Sequence, residues 1–315
     1  MASVINEVDS FPRAEFTGKQ TSHWPPCRAC IPGGLFRPCA GLSVQLSSSG
    51  VEQKGILANQ VAVVTGPTDG IGFTISRHLA QDGAHVVVSN QKQQNVDLVV
   101  AALKGVGLNV MGTVCHVGKG EDREKLVAMV LEHCRGVDFL VCVPGVNPLT
   151  ESTVWSSEQV WDKILDVNVK SSTLLLSQLL PHMQKRGSVV LVSSVAAYIP
   201  LAKIRAYSVS KLALLGLTQT LAVELAPKNI CVNCLVPGII NTDCSQMLFE
   251  DPTLWNCLER FHGIQRVGWP EDCAELVSFL CSSDASYITG KYIMVPSFSP
   301  TSEGYELRAQ ACLLM

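Results

Sequence analysis

The sequence has no cluster of lysine and arginine of the kind that tracks a phosphate backbone: 24 basic side chains stand against 27 acidic ones, a net charge of −3. Nucleic acid is excluded as the main partner. Long apolar runs are missing too. The longest stretch without Asp, Glu, Lys or Arg is residues 187–202, which includes Ser193, Ser194 and Pro200; it is short and polar for a bilayer span of about 20 residues, so no stable membrane insertion is expected. Residues 1–30 carry Glu7, Asp9 and Glu15 and lack a continuous apolar core, which argues against a secretory signal. A paired-cysteine framework is absent as well. The 13 cysteines are odd in number and fall at no repeating interval, the pattern of thiols that stay reduced inside a cell. Charged residues are scarce at 16% while hydrophobic ones reach 47%, so the chain can build a large core and is not disordered throughout.

What is present is an alternation. Residues 1–55 are rich in Pro, Gly, Ser and Cys without a lasting apolar period, and read as a flexible leader. From Val61 onward, short apolar runs at 61–64, 85–88, 110–114, 139–143, 189–192, 231–236 and 292–295 alternate with segments of helical length. This pattern predicts a parallel sheet of about seven strands covered by helices on both faces, an α/β, doubly wound, Rossmann-type fold. A single domain is expected over residues 56–298, with a tail at 299–315.

The first strand runs directly into Thr65-Gly66-Pro67-Thr68-Asp69-Gly70-Ile71-Gly72, followed by a helical segment and a second strand. Glycines at such a turn let the backbone approach a pyrophosphate and present the helix's first N–H groups to it. About 20 residues on, where an acid would bind a ribose 2′-hydroxyl, the chain reads Ser89-Asn90-Gln91-Lys92. With no carboxylate there and Lys92 nearby, NADP(H) is favoured over NAD(H), although Lys92 also reads as a solvated surface lysine.

Tyr207-Ser208-Val209-Ser210-Lys211 opens a long apolar helix. A spacing of four puts Tyr207 and Lys211 on one face, about 6 Å apart along the axis. An ammonium beside a phenol favours the phenolate; bringing a tyrosine from about 10 to near 7 takes roughly 4 kcal/mol, within reach of a charge at ~4 Å in a partly desolvated site. Ser194 lies just after the run at 189–192, at the carboxyl end of a strand, where such folds bind ligands.

Taken in order, the glycine motif from Thr65 to Gly72, Asn168 within Val167-Asn168-Val169, Ser194, Tyr207 with Lys211, and Pro237-Gly238 followed by Thr242 resemble the short-chain dehydrogenase/reductase family over roughly residues 57–295. The resemblance implies hydride transfer between a nicotinamide and a small-molecule carbonyl substrate. Ser194 would polarise the carbonyl, Tyr207 donate the proton, Lys211 hold the ribose and favour the tyrosinate, and Asn168 support a water-linked relay. It also implies cofactor contacts at Thr65, Gly66, Gly70, Ile71, Gly72, Asn90, Lys92, His116, Val117, Gly145, Tyr207, Lys211, Pro237, Gly238 and Thr242. Stretches such as residues 81–88, 92–97 and 113–119 are similar to a subgroup of the family whose implied substrates are small α-dicarbonyls, other ketones and retinoids, reduced with NADPH. A homodimer built on the helices holding Asn168 and Tyr207 is implied too. Residues 35–44 are similar to the mitochondrial-type start of that subgroup, here behind residues that include acids, leaving a mitochondrial or a cytoplasmic and nuclear address.

Several positions depart from the family. Pro67 removes a possible phosphate donor, Gln91 replaces an arginine expected to clamp a 2′-phosphate, and Cys142-Val143-Pro144-Gly145 stands where amide side chains usually tie strands and cofactor together. Pro296-Ser297-Phe298 replaces a small, Gly-rich turn, which puts the family's tetramer contact in doubt. These departures motivate a second reading, a catalytically weak protein of the same fold that acts through protein binding.

Other features are weaker. Lys203 and Arg205 could aid Tyr207 or attract an acidic substrate, but read more simply as solvated loop cations. Met247, Leu248, Phe249, Trp255 and Phe261 fall where the family places its substrate lid. Cys27 and Cys30, with His23 and Cys39, lack the second ligand pair of a zinc site, so no metal is expected. Cys231 and Cys234 read as strand core. The ending Cys312-Leu313-Leu314-Met315 fits a prenylation pattern without a supporting second signal.

Overall fold

The computed structural model describes residues 55–66, 70–143, 145–147, 153–199, 204–246, 264 and 266–297. Each of the seven apolar runs becomes a strand: β1 (Val61–Thr65), β2 (His85–Asn90), β3 (Val110–Val114), β4 (Val137–Cys142), β5 (Met183–Val192), β6 (Cys231–Pro237) and β7 (Tyr292–Val295). They form one parallel sheet in the order β3-β2-β1-β4-β5-β6-β7. The chain winds outward from β1 in one direction and from β4 in the other. The order therefore reverses between β1 and β4, where Val64 pairs with both Val88 and Val141, and this reversal opens a crevice at the carboxyl ends of the strands.

Both faces of the sheet are covered because successive strand side chains point to opposite sides. Ala62, Val64, Val86, Val88, Val141 and Val190 face a core closed by helices α1 (Gly70–Gln81), α2 (Gln93–Gly105) and a later helix, Pro270–Cys281. Val63, Val87, Leu140, Val189 and Val232 face the opposite core under α3 (Gly120–His133), α5 (Ser171–Leu179) and α6 (Arg205–Leu225). Between α3 and α5 lies α4 (Glu158–Leu165), which is capped by Ser157; the Pro270–Cys281 helix is α7. Strand β5 starts six residues before the expected 189. Its polar first half pairs Met183 with Val137, then shifts register around Arg186, which has φ 69°, before the apolar half aligns with β4.

Extended to Lys228, α6 is long and apolar enough to cross a bilayer by length and composition alone. Its Leu214, Leu215, Leu221 and Leu225 are instead packed against the sheet, and the helix carries a buried lysine. It is the core helix of an α/β fold. The leader, Pro67, Pro144, Lys203, the segment holding Met247, Leu248, Phe249, Trp255 and Phe261, Phe298 and the C-terminal tail with Cys312 lie outside the described residues.

Candidate active site

The crevice over the carboxyl ends of the strands is a cleft of about 450 Å³. Its floor begins at the glycine turn. Gly66 and Gly70 have φ of 76° and 51°, conformations that side chains other than glycine's rarely adopt. At Gly70 a Cβ would also lie 2.6 Å from Thr242 Cγ2, so the turn passes directly beneath the loop after β6. Gly66, Gly70, Ile71, Gly72 and Thr242 all line the cleft. Thr65, by contrast, is buried below it, and its carbonyl accepts the Val143 N–H at 3.2 Å, joining the ends of β1 and β4.

At one end the cleft is lined by Ser89, Asn90, Gln91, His116 and Val117 from the ends of β2 and β3. Asn90 Oδ1 accepts the Lys92 N–H at 3.0 Å, which shapes the turn into α2. Lys92 itself is exposed and is not among the lining residues. His116 is held through its N–H, which Asp122 accepts at 3.0 Å, and its Nδ1 accepts from Gly118 at 3.2 Å. Cys115 lines this end as well, and burial, aided by the Asp122 carboxylate, pushes its thiol up to about 11.

The other end gathers the residues expected to carry chemistry. Ser194, Tyr207 and Lys211 line it together with Pro237 and Gly238. Ser194 starts a short 3₁₀ turn, its Oγ accepting the Ala196 N–H at 3.1 Å. Lys211 is 3% exposed, and its Nζ donates to the Val192 carbonyl at 2.9 Å and lies 5.4 Å from the centre of the Tyr207 ring. Gly145 lines the cleft too, and a Cβ there would come 3.6 Å from Lys211 Nζ. Gly238 is required by packing: a Cβ would meet Pro296 Cα at 2.8 Å.

Asn168 does not line the cleft. It sits, fully buried, at the centre of a π-helical turn, Asp166–Lys170, between α4 and α5. Its amide is occupied internally: Oδ1 accepts the Val146 N–H at 2.8 Å, while Nδ2 donates to the Val146 carbonyl at 3.1 Å and to Ser210 Oγ at 2.9 Å. The structure thus gives Asn168's side chain a framework position behind the site.

Does the cleft suit a dinucleotide? Among the described residues lining it, Lys163 and Lys211 are basic and none is Asp or Glu. Ser89 Oγ is buried at the cleft wall without a hydrogen-bond partner, and Asn147 Oδ1 likewise. Positive potential, glycines at a helix start and orphaned polar atoms fit a polyanionic, hydrogen-bonding ligand. Ser89, Asn147 and Lys163 were not anticipated from sequence. A polar residue ending a buried strand was the available signal for Ser89, whereas an exposed helix lysine such as Lys163 carries none.

The sequence profile described as Enoyl-(Acyl carrier protein) reductase matches residues 66–297. The chain belongs to the short-chain dehydrogenase/reductase family. It is 63% identical over 267 residues to human dehydrogenase/reductase SDR family member 2, mitochondrial, covering 84% of this chain and 95% of that protein. Human dehydrogenase/reductase SDR family member 4 is 55% identical over 272 residues, covering 85% and 98%. Among solved structures, a short-chain dehydrogenase/reductase from Serratia marcescens superposes with a TM-score of 0.71 at 28% identity, covering 76% of this chain and 98% of that one. A dehydrogenase/reductase from Sinorhizobium meliloti gives 0.72 at 27%, covering 78% and 96%. The doubly wound sheet and the oxidoreductase character of the family follow, and NAD(P)(H) is the cofactor type of its members.

Proposed function

We propose that this chain is an NADP(H)-preferring carbonyl reductase acting on ketones and α-dicarbonyls, retinoids included, with residues 56–298 as its catalytic domain. The observation that carries this reading is convergence: Ser194, Tyr207 and Lys211 face the same cleft as the glycine turn, with Lys211 Nζ 5.4 Å from the Tyr207 ring. Ser194 Oγ donates to the substrate carbonyl oxygen and fixes the carbon toward the cofactor. Tyr207 gives its phenolic proton to that oxygen as negative charge develops, and Lys211 stabilises the phenolate left behind. When bound, the reduced nicotinamide supplies the hydride. The absence of a carboxylate among the described lining residues supports NADP(H) over NAD(H). A relative called mitochondrial supports a mitochondrial address, and the exposed Val209 and Leu212 on α6 support a homodimer using that helix.

The second reading, a protein of this fold that works through protein binding, draws on the β2–α2 turn: Gln91 lines the cleft and Lys92 does not. One experiment separates the two. The purified chain is titrated with NADPH and with NADH, following nicotinamide fluorescence, and then assayed for reduction of 2,3-butanedione. Micromolar NADPH binding, tighter than NADH, with turnover abolished in Tyr207→Phe is expected. Failure to bind either nucleotide at millimolar concentration overturns the reductase reading.

A further inference from the structure

Two serines sit beside catalytic candidates in the chain; Ser193 also lines the cleft, while Ser210 does not. Ser193 precedes Ser194, and Ser210 precedes Lys211. Both are buried, at 3% and 0% exposure. A serine within an apolar helix or at the end of a buried strand must satisfy its hydroxyl locally or lose a hydrogen bond's worth of free energy. Each does so on a carbonyl of α6. Ser210 Oγ donates to the Tyr207 carbonyl at 2.7 Å, and Ser193 Oγ donates to the Lys211 carbonyl at 2.7 Å, across 18 residues of sequence.

The first of these bonds, taken alone, is an ordinary helical back-bond. It becomes more than that because the same oxygen accepts from Asn168 Nδ2 at 2.9 Å, 42 residues away, and Asn168 in turn holds both backbone groups of Val146. The loop after β4 is thereby linked through Asn168 and Ser210 to the turn of α6 that carries Tyr207. Ser193 performs the matching task one turn later. Its N–H donates to the Leu235 carbonyl at 2.8 Å, so it is anchored between β5 and β6 while its hydroxyl grips Lys211. Lys211 Nζ adds a third tie, to Val192.

We propose that Ser193 and Ser210 are positioning residues which clamp the Tyr207 and Lys211 backbone to the ends of the central strands, and so fix the separation of phenol and ammonium. The proposal rests on the reductase reading, in which that separation governs proton transfer. Without the clamp α6 still packs through its apolar face, but its first turns gain freedom. Proton transfer is sensitive to such displacement, whereas cofactor contacts made by the glycine turn are not.

The test compares the full chain with Ser210→Ala, Ser193→Ala, Ser210→Thr and Tyr207→Phe, using NADPH and 2,3-butanedione over a range of pH. Each alanine variant is expected to lower kcat about tenfold, to leave both KM values and the NADPH titration within about twofold, and to move the acid-base limb of the kcat profile. Ser210→Thr, which keeps the hydroxyl, is expected to restore kcat and profile. Alanine variants with kcat within twofold and an unmoved profile overturn the clamp, as does loss of NADPH binding in parallel with kcat, which marks a purely structural role. Wild-type chain without turnover, or Tyr207→Phe turning over normally, overturns the reductase reading instead.

Discussion

Asn168 holds Val146 through both of its backbone polar groups, accepting from the N–H at 2.8 Å and donating to the carbonyl at 3.1 Å. A side-chain amide here does what a neighbouring strand would do, and it fastens the loop after β4, where Gly145 and Asn147 line the cleft.

Replacing Asn168 with leucine removes every one of those bonds and leaves the Val146 groups to find water or go unpaired. A cost of about 3 kcal/mol is expected, a fall of roughly 6–12 °C in melting temperature for a domain of this size, together with weaker NADPH binding. Differential scanning calorimetry and the fluorescence titration check both; a melting point within 1 °C of wild type would show the amide to be dispensable.

The glycine turn makes a separate prediction. Gly70→Ala forces a left-handed residue and drives a Cβ toward Thr242 Cγ2. NADPH affinity is expected to fall about tenfold or more, since the turn must shift by some tenths of an ångström at the place proposed to hold a phosphate. Adding Thr242→Ser removes the methyl group and should recover part of the loss, though not the part due to φ. Equal affinities for Gly70→Ala with and without Thr242→Ser would exclude the clash as a cause.

The strands were legible because Val-rich runs buried on both faces leave a signal that depends on nothing beyond their own sequence. The closeness of Tyr207 and Lys211 was legible for a similar reason: helical spacing alone puts them on one face. Asn168 was read from its position in a motif, yet its side chain is buried and spent on Val146 and Ser210 within a π-helical turn, and no local pattern announces that turn. Lys92, read from its place after β2, is exposed beside the cleft end that Asn90 and Gln91 line. Ser193 and Ser210 escaped notice since their meaning lies in partners 18 and 42 residues away.

Buried thiols should be inert. Burial pushes Cys142 and Cys273 up to about 12 and Cys115 and Cys234 up to about 11, so the nucleophilic thiolate is a minute fraction of each at pH 8. Iodoacetamide treatment of the native chain at that pH, followed by peptide mass mapping, is expected to leave these four unmodified and to label them after unfolding in guanidinium. Native labelling of Cys115 would mean that the cleft wall opens far more than its packing suggests.

Two carboxylates should give opposite pH dependence of stability. Burial raises Asp138 above the usual carboxylate range, and the Val61 N–H that its Oδ2 accepts at 2.8 Å offsets this only in part. The folded chain therefore binds that proton more tightly than the unfolded one, and this contribution, present below the unfolded pKa, is lost as pH rises through the folded value. Asp138→Asn keeps an acceptor for Val61 without the charge, so it should melt a few degrees above wild type at pH 7 and converge with it near pH 4. Asp272 behaves the other way. Arg266 grips its carboxylate at 2.6 and 2.8 Å and holds it below the usual range, so its contribution exists above the unfolded pKa and disappears as pH falls through the folded one. Asp272→Asn should melt below wild type at pH 7, by a margin that shrinks in high salt because the pair is exposed, and that narrows as pH falls below the usual carboxylate range. Melting curves of the two variants from pH 3 to 8 decide the matter: parallel curves for both would mean that neither carboxylate couples its proton to folding.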